Sequence, residues 1–155
     1  MSYFDELLKK QREHDKKRQD VRNKAEKIVE TFGFDSPEYR LCREEYESLN
    51  GNPLSAGEKR ACRADYMTRY RCSSEFEMEE HVWPDEVEDF IGTLKKAGVK
   101  QFVYTDTGSG MPRTVYEFVK CGCTMGDACI VTRTGLDANG DVEITEHYGI
   151  RFTVN

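Results

Sequence analysis

The final segment of the chain, residues 142–154, constrains the fold most strongly because apolar and polar side chains alternate along it. The alternating positions on one side, interrupted only by Glu146, are Val142, Ile144, Tyr148, Ile150, Phe152 and Val154. Those on the other side are Glu143, Thr145, His147, Arg151 and Thr153. A period of two residues is typical of a β-strand with one buried face and one face in water. The sequence therefore predicts a terminal strand with its apolar side turned to a core.

The segments before this strand predict the rest of a small sheet. Pro84 begins a helix that Gly98 ends, and residues 99–106 read as a strand. A short helix then runs from Pro112 to Gly122, and a second strand covers 124–134. Because a helix joins the two strands, we expect them to be parallel, with the terminal strand returning as a hairpin. The prediction is a three-stranded mixed sheet with two helices on one face.

The N-terminal half predicts helices alone. One long helix covers residues 3–32, a second begins after the N-cap Ser36, and a third begins at Ser55, where Glu58 completes a capping box. The fold class is therefore α+β, with N-terminal helices followed by a helix–strand–helix–strand–strand unit. We expect the acidic stretch 73–83 to be a linker or an irregular segment. This divides the chain into a helical region, 1–83, and an α/β subdomain, 84–155, which together form either two domains or one.

Composition excludes several classes of protein. The chain has 155 residues, enough for one domain, with 37% hydrophobic and 34% charged residues. It contains no run of 18 apolar residues, and its N-terminus lacks the apolar stretch of an export signal. We therefore expect no membrane contact and a cytoplasmic location. In that reducing compartment, the six cysteines are better interpreted as thiols or metal ligands than as disulfides.

Charge is distributed unevenly. Residues 9–27 carry nine Lys or Arg against four Asp or Glu, whereas 75–89 carry eight acidic residues and no Lys or Arg. The acidic group is either a solvated face or a contact surface for a basic partner. As a contact surface its residues are Glu75, Glu77, Glu79, Glu80, Asp85, Glu86, Glu88 and Asp89. The low isoelectric point, about 5.2, argues against nucleic acid as the sole partner, although helix 9–20 is either solvated or a local contact.

Three cysteines close in sequence suggest a second kind of site. Cys121, Cys123 and Cys129 lie within nine residues, and three thiolates together with a fourth ligand would suit zinc. The fourth ligand would be His147, Cys62, Cys72 or His81. The alternative is that Cys129, in a predicted strand, is simply a small apolar residue. The spacing differs from that of the usual zinc motifs, so zinc as a cofactor is a secondary hypothesis.

Catalytic motifs are scarce. Asp106-Thr107-Gly108-Ser109 matches the loop of aspartic proteases, but that chemistry needs a second aspartate and a β-barrel, so we interpret the loop as a turn. Asp137, Asn139 and Asp141 resemble part of a calcium loop, yet Asn139-Gly140 is a standard hairpin turn. None of the three histidines has an evident catalytic partner in the sequence. The prediction is a protein that is not an enzyme.

The segment from Asp85 to Asn155 resembles a family of small uncharacterised proteins encoded on phages and conjugative elements of Gram-positive gut bacteria. The stretches that carry the resemblance are FIGTLKKAGVKQFVYTDT, VYEFVKCGCTMGDACIVTR and YGIRFTVN. The resemblance implies an accessory protein of a mobile element that binds a host or competitor protein, and inhibitors of CRISPR nucleases are one such class.

Three functional hypotheses follow. The first is a non-catalytic binding protein that inhibits a host defence protein, such as the CRISPR effector nuclease Cas9, through its acidic surface or its charged helix. The second is a zinc-binding regulator or nucleic-acid adaptor that uses the cysteine cluster and the basic helix. A hydrolase is the third reading, and it would require a His and a carboxylate to meet in a pocket. The sequence does not determine the oligomeric state or the identity of the partner.

Overall fold

The computed structural model describes all residues, Met1–Asn155, and contains five α-helices and four β-strands. The helices are α1 (Tyr3–Phe32), α2 (Pro37–Ser48), α3 (Ala56–Tyr70), α4 (Val87–Lys96) and α5 (Met111–Lys120). The strands are β1 (Glu77–Met78), β2 (Gln101–Tyr104), β3 (Thr124–Leu136) and β4 (Val142–Thr153). A single 3-10 turn, Pro84–Glu86, precedes α4. The protein is α+β with N-terminal helices, as the sequence predicts.

The chain forms two compact units. One comprises Met1–Phe4 and Ser55–Asn155, and the other comprises Asp5–Leu54. The division thus falls between Leu54 and Ser55, whereas the sequence led us to expect a change near residue 83. The expected linker 73–83 belongs to the larger unit, and its residues Met78 and Val82 are buried there. Because acidic residues surround these two in the sequence, no apolar pattern indicated that they are buried.

The smaller unit contains most of α1 and the whole of α2. Ser36 caps α2 by accepting a hydrogen bond from the Tyr39 N–H, as the sequence indicates. The guanidinium of Arg18 lies 4.8 Å from the ring centre of Tyr46 and donates a 3.0 Å hydrogen bond to its hydroxyl. Arg18 therefore lies against an aromatic ring, while most of the charged residues 9–20 are exposed.

The sheet of the larger unit has four strands in the order β1-β2-β4-β3. β1 pairs with β2 in parallel, and β4 is antiparallel to both β2 and β3. β2 and β3 are therefore parallel in direction, but β4 lies between them, so the predicted neighbouring pair is not formed. The additional strand, β1, has only two residues, which is too short to produce a recognisable period in the sequence.

Aromatic packing forms the core on one face of this sheet. The rings of Phe102 (β2) and Phe152 (β4) are opposite each other in register and stack at 5.4 Å. Phe118 of α5 contacts both rings, and Phe90 of α4 contacts Phe102 edge to face. All four rings are fully buried. Helices α4 and α5 thus cover the same face, as predicted.

A close approach of α3 to α4 depends on Gly57. A Cβ atom at this position would lie 2.3 Å from the backbone nitrogen of Phe90. The Gly57 N–H also donates a 2.8 Å hydrogen bond to the carboxylate of Asp89. Ser55 and Glu58 form the predicted capping box just before this contact. The absent side chain therefore allows the first turn of α3 to rest on the backbone of α4.

The segment 71–78 connects the two edges of the sheet. At one edge, the Ser74 N–H donates a 3.0 Å hydrogen bond to the Thr132 carbonyl of β3. At the other edge, the Val103 N–H of β2 donates a 2.8 Å bond to the Phe76 carbonyl. Backbone groups at both edges are satisfied by one short stretch of chain. This stretch carries several of the acidic residues singled out in the sequence.

Candidate protein-binding surface

Most of the acidic residues between 75 and 89 are engaged within the larger unit. Five of them form ion pairs: Glu75 with Arg151, Glu77 with Arg133, Glu79 with Arg71 and Arg133, Glu80 with Arg60 and Arg63, and Glu86 with Arg60. Asp89 accepts the hydrogen bond from Gly57. Asp85, Glu88 and Asp89 are exposed and form no ion pair. Five of the eight carboxylates thus have a counter-ion within the chain, and the role of these residues as a contact surface stays a prediction.

Glu77 is the most deeply placed member of this group, with only 4% of its surface exposed. Its carboxylate accepts hydrogen bonds from Arg133, from the Thr105 hydroxyl at 2.8 Å and from the Ser73 hydroxyl at 3.2 Å. Burial acts to raise the pKa of Glu77, but the bonds from Arg133 and Thr105 outweigh it and hold the pKa below its ordinary value. Glu77 is consequently a structural anion.

The sequence analysis missed these partners because they lie far along the chain. Arg133 is 56 residues from Glu77, and Arg151 is 76 residues from Glu75. Within 75–89 no basic residue is present, which suggested an unbalanced surface. The fold supplies the balancing charges from α3 and from the two long strands.

A different surface stands out on the hairpin of β3 and β4. Pairing of β4 with β2 ends at Ile150, and beyond it β3 and β4 continue as a two-stranded hairpin. One face of this hairpin carries five large apolar side chains that are between 48% and 72% exposed. We call them the hairpin face: Ile130, Leu136, Val142, Ile144 and Tyr148.

Strand register shows that these five side chains share one face. Leu136 is opposite Val142, and Ile130 is opposite Tyr148, while Ile144 lies midway between Val142 and Glu146 on the same strand. Directly opposed residues project to the same side of an antiparallel pair, and so do residues two apart. The five apolar side chains therefore lie on one face, where Glu146 and Thr132 separate Tyr148 and Ile130 from the other three.

The expectation that the terminal strand buries its whole apolar side is therefore wrong for its first half. Phe152 and Val154 are buried and Ile150 is partly buried, but Val142, Ile144 and Tyr148 are exposed. The aromatic core from α4 and α5 covers only the end of β4 that pairs with β2. The alternating pattern thus correctly predicts a strand, but it extends past the part of β4 that α4 and α5 cover.

The hairpin turn has the predicted chemistry. The Asp137 carboxylate accepts hydrogen bonds from the N–H groups of Asn139 and Asp141 at 2.8 and 3.0 Å. Gly140 has a φ of +84°, a conformation that side chains rarely adopt. The Asp137 oxygens thus organise a turn, which agrees with the hairpin interpretation and not with a calcium loop.

The hairpin is also acidic. Residues 134–149 include Asp137, Asp141, Glu143 and Glu146 and no Lys or Arg, a formal balance of −4. None of these four carboxylates forms an ion pair within the chain. An exposed apolar face with uncompensated negative charge around it is the arrangement expected of a surface that recognises a basic partner.

The cysteine cluster does not assemble a metal site. No group of three or more His, Cys, Asp or Glu side chains is arranged to hold a metal ion, and all six cysteines are free thiols. Burial raises the pKa of Cys123 to about 11, and it also raises the pKa of Cys121 and Cys129. In the metal-free chain these thiols are therefore protonated at neutral pH.

One polar cluster was missed by the sequence analysis. His81 Nδ1 lies 2.8 Å from Oδ2 of Asp106, and the same oxygen accepts a 2.9 Å hydrogen bond from the Tyr104 hydroxyl. Burial acts to raise the pKa of Asp106, but the bonds from His81, from the Gly108 N–H and from Tyr104 hold it below its ordinary value. The signals in the sequence were the Asp106-Thr107-Gly108-Ser109 loop and the position of Asp106 just after a strand, and neither pointed to His81.

This cluster has a clear structural role. Tyr104 is fully buried in the aromatic core, and its hydroxyl accepts from the Val82 N–H at 3.4 Å. The Thr114 hydroxyl donates a 2.7 Å bond to the Val82 carbonyl. The cluster thereby fastens the segment before α4 to the end of β2 and to α5. His147 lies elsewhere, 2.9 Å from the Thr145 hydroxyl, and joins no carboxylate or thiol.

Comparison with known proteins gives one match. A sequence-family model, described as a domain of unknown function (DUF7698), matches residues 61–154, which is more than half of the chain. The chain belongs to the DUF7698 family. No curated protein and no solved structure matches it significantly. In addition, none of the helices combines the length and apolarity that spanning a membrane requires.

The DUF7698 region includes every strand of the sheet, most of α3, and both helices of the aromatic core. It also includes the hairpin face and the arginines that pair with Glu77 and Glu75. Helices α1 and α2 precede the DUF7698 region. The hairpin face is therefore part of the DUF7698 domain itself.

Proposed function

We propose that this protein acts by binding another protein through the hairpin face and that it is not an enzyme. The observation that carries the proposal is the exposure of five large apolar side chains on one face of an extended hairpin. Scattered exposed apolar residues are common on soluble proteins, but contiguous groups with a polar surround are typical of interaction sites. The acidic residues of the hairpin supply such a surround.

The charge of the hairpin favours a basic partner. Four carboxylates lie within 134–149 with no internal counter-ion. Complementary charge increases the rate of association and disfavours partners of the same sign. Proteins that bind nucleic acid carry basic surfaces because they neutralise phosphates. The basic surface of a nucleic-acid-binding protein would therefore complement the negative charge of the hairpin.

We extend the proposal to the setting that the sequence resemblance implies. The protein would be a cytoplasmic accessory protein of a phage or conjugative element, and its partner a host defence protein such as a CRISPR effector nuclease. Support for this extension comes from the resemblance over 85–155 and from the charge match. The alternative, a zinc-binding regulator or nucleic-acid adaptor, has less support because Cys121, Cys123 and Cys129 form no metal-binding group.

A pair of double variants tests the proposal. Ile144→Thr with Tyr148→Thr removes two large apolar side chains of the hairpin face. The threonines that replace them are β-branched and therefore suit a strand. The matched control is Tyr66→Thr with Tyr70→Thr, two similarly exposed tyrosines that stack on each other in α3. Each protein is co-expressed with a panel of defence nucleases, and both co-purification and nuclease inhibition are measured.

We expect the hairpin variant to lose binding and inhibition while the α3 variant keeps both. Circular dichroism of each variant shows whether the fold is retained. Equal binding by the hairpin variant and the wild-type protein would contradict the proposed surface. Absence of binding and inhibition across the whole panel would contradict the proposed class of partner.

A further inference from the structure

We infer that the partner contributes an extended basic segment, which adds to the sheet as a new strand beside residues 142–148 of β4. This inference rests on the proposed function and specifies how the partner is held. It depends on three features of the hairpin: the direction of its backbone groups, the absence of a neighbouring strand, and its charge.

The first feature is the direction of the backbone groups of β4. In β3, the Thr132 carbonyl and the Thr134 N–H bond to residues 74 and 71, so they point away from β4. Their opposite residues are Glu146 and Ile144. In an antiparallel pair, residues opposite each other either bond to each other or both point outward. The N–H and C=O groups of Glu146 and Ile144 therefore point away from β3.

The pairing with β2 leads to the same result. The Val103 N–H of β2 bonds to Phe76, on the side away from β4, so Val103 and its opposite residue Arg151 do not bond to each other. The even-numbered residues of β4, such as Ile150, therefore bond to β2. Because this pattern repeats every two residues, the even-numbered residues from 142 to 148 also direct their backbone N–H and C=O groups toward the β2 side of β4.

The second feature is that this side is open. β2 ends its pairing at Ile150, and no strand lies beside residues 142–149 there. Residues 142–148 are long enough for an average strand. A partner strand would satisfy these N–H and C=O groups and would continue the line of β2. Proteins commonly bind extended peptides at such an edge, using main-chain bonds for affinity and alternate side chains for specificity.

The third feature is charge, which decides between a partner and a second copy of this chain. Pairing two copies along β4 would bring two hairpins of formal charge −4 together. Like charges directly opposite each other destabilise a strand pair, whereas opposite charges stabilise it. A segment that alternates apolar residues with Lys or Arg would place apolar side chains beside Ile144 and Tyr148 and its bases near Glu143. The occupant is therefore a basic strand of another protein.

A matched pair of substitutions isolates the backbone. Glu146→Pro removes one outward N–H without breaking a bond to β3, because Glu146 does not bond to Thr132. Glu146→Ala removes the same carboxylate but keeps the N–H. The probe is a displayed library of random ten-residue peptides selected on the full-length wild-type protein. Affinities of the enriched peptides are then measured for the wild-type protein and for both variants.

We expect enriched peptides that alternate apolar residues with Lys or Arg. Their affinity should fall about tenfold or more for Glu146→Pro and only a few-fold for Glu146→Ala, since a lost main-chain bond leaves a partner group unpaired. In the wild-type protein, peptide binding should slow amide hydrogen exchange at Val142, Ile144, Glu146 and Tyr148. The exchange measurement does not depend on the stability of the proline variant.

Several outcomes overturn the inference. Equal affinity for the two Glu146 variants, unchanged exchange on peptide binding, enrichment of acidic peptides, or no enrichment at all each excludes addition of a basic strand. Dimerisation that Glu146→Pro abolishes would identify a second copy as the occupant. If the Glu146 variants bind equally but the Ile144/Tyr148 double variant does not bind, the hairpin face stands and only strand addition fails.

Discussion

Arg133 Nε donates a 3.0 Å hydrogen bond to Oε2 of Glu77, a carboxylate that is almost fully enclosed between β1, β2 and β3. The two residues are 56 positions apart in the sequence. Their contact joins β3, an edge strand, to the segment 71–78, which connects the two edges of the sheet. The acidic stretch was predicted as a recognition surface, yet its residue Glu77 is part of the interior.

Removing the Glu77 charge should destabilise the protein strongly. Glu77→Gln leaves the largely buried Arg133 guanidinium with only the more exposed Glu79 as a counter-ion. Breaking a buried pair in this way costs about 3 kcal/mol in the free energy of unfolding. Urea denaturation measures the change. The control is Glu88→Gln, an exposed residue without an ion pair, for which we expect a change within about 0.5 kcal/mol. Similar effects of both substitutions would show that the pair is not structural.

Stability should also fall in acid because of the same residue. The pKa of Glu77 is lower in the folded protein than its ordinary value of 4.5. Its stabilising contribution is therefore complete above the unfolded pKa and is lost as the pH falls through the lower, folded value. Asp106, whose pKa is also lowered, acts in the same direction.

Urea denaturation of the wild-type protein at a series of pH values below 5 measures this acid dependence. Glu77→Gln cannot titrate at that position, so its stability should change less steeply with pH. If the two proteins show the same slope, Glu77 does not carry a shifted pKa.

Two glycine substitutions should have opposite effects. Gly57→Ala places a Cβ atom against the backbone of α4, so α3 must move and the protein should lose at least about 2 kcal/mol of stability. Gly92→Ala, in the middle of α4, meets no atom within 4 Å. It should gain up to about 1 kcal/mol because alanine favours the helix. Thermal denaturation compares both variants, and a tolerated Gly57→Ala would contradict the close approach.

The thiols should differ in reactivity. Cys72 is exposed, whereas Cys62 and Cys123 are buried, and burial raises the pKa of both buried thiols to about 11. With a disulfide reagent at pH 8, we expect Cys72 to react first and Cys62 and Cys123 only when the protein unfolds. Cys72→Ser should remove the fast phase. Persistence of that phase would show that another thiol is accessible.

Local signals in the sequence predicted much of the secondary structure. Ser36 and Ser55 form the expected helix caps, and the helix after Pro84 lies where the pattern places it. These features depend on neighbouring residues, whose chemistry is visible in a single stretch of sequence. The α+β class follows from them.

Features that depend on distant residues were not predictable in the same way. β1 is defined by its pairing with β2 and has too few residues for a pattern of its own. The arginines that neutralise Glu75 and Glu77 come from strands more than 50 residues away. Exposure of Ile144 and Tyr148 depends on where β2 ends, which the pattern of β4 does not contain.

The crossing segment 71–78 has a consequence for the order of folding. Because it bonds to β3 through Ser74 and to β2 through Phe76, neither edge of the sheet is complete until residues from both ends of the DUF7698 region have met. Contacts of such long sequence separation slow folding, since the intervening chain must be closed first. A cut in the loop between α5 and β3 should therefore yield two fragments that are unfolded separately and regain the sheet only when mixed.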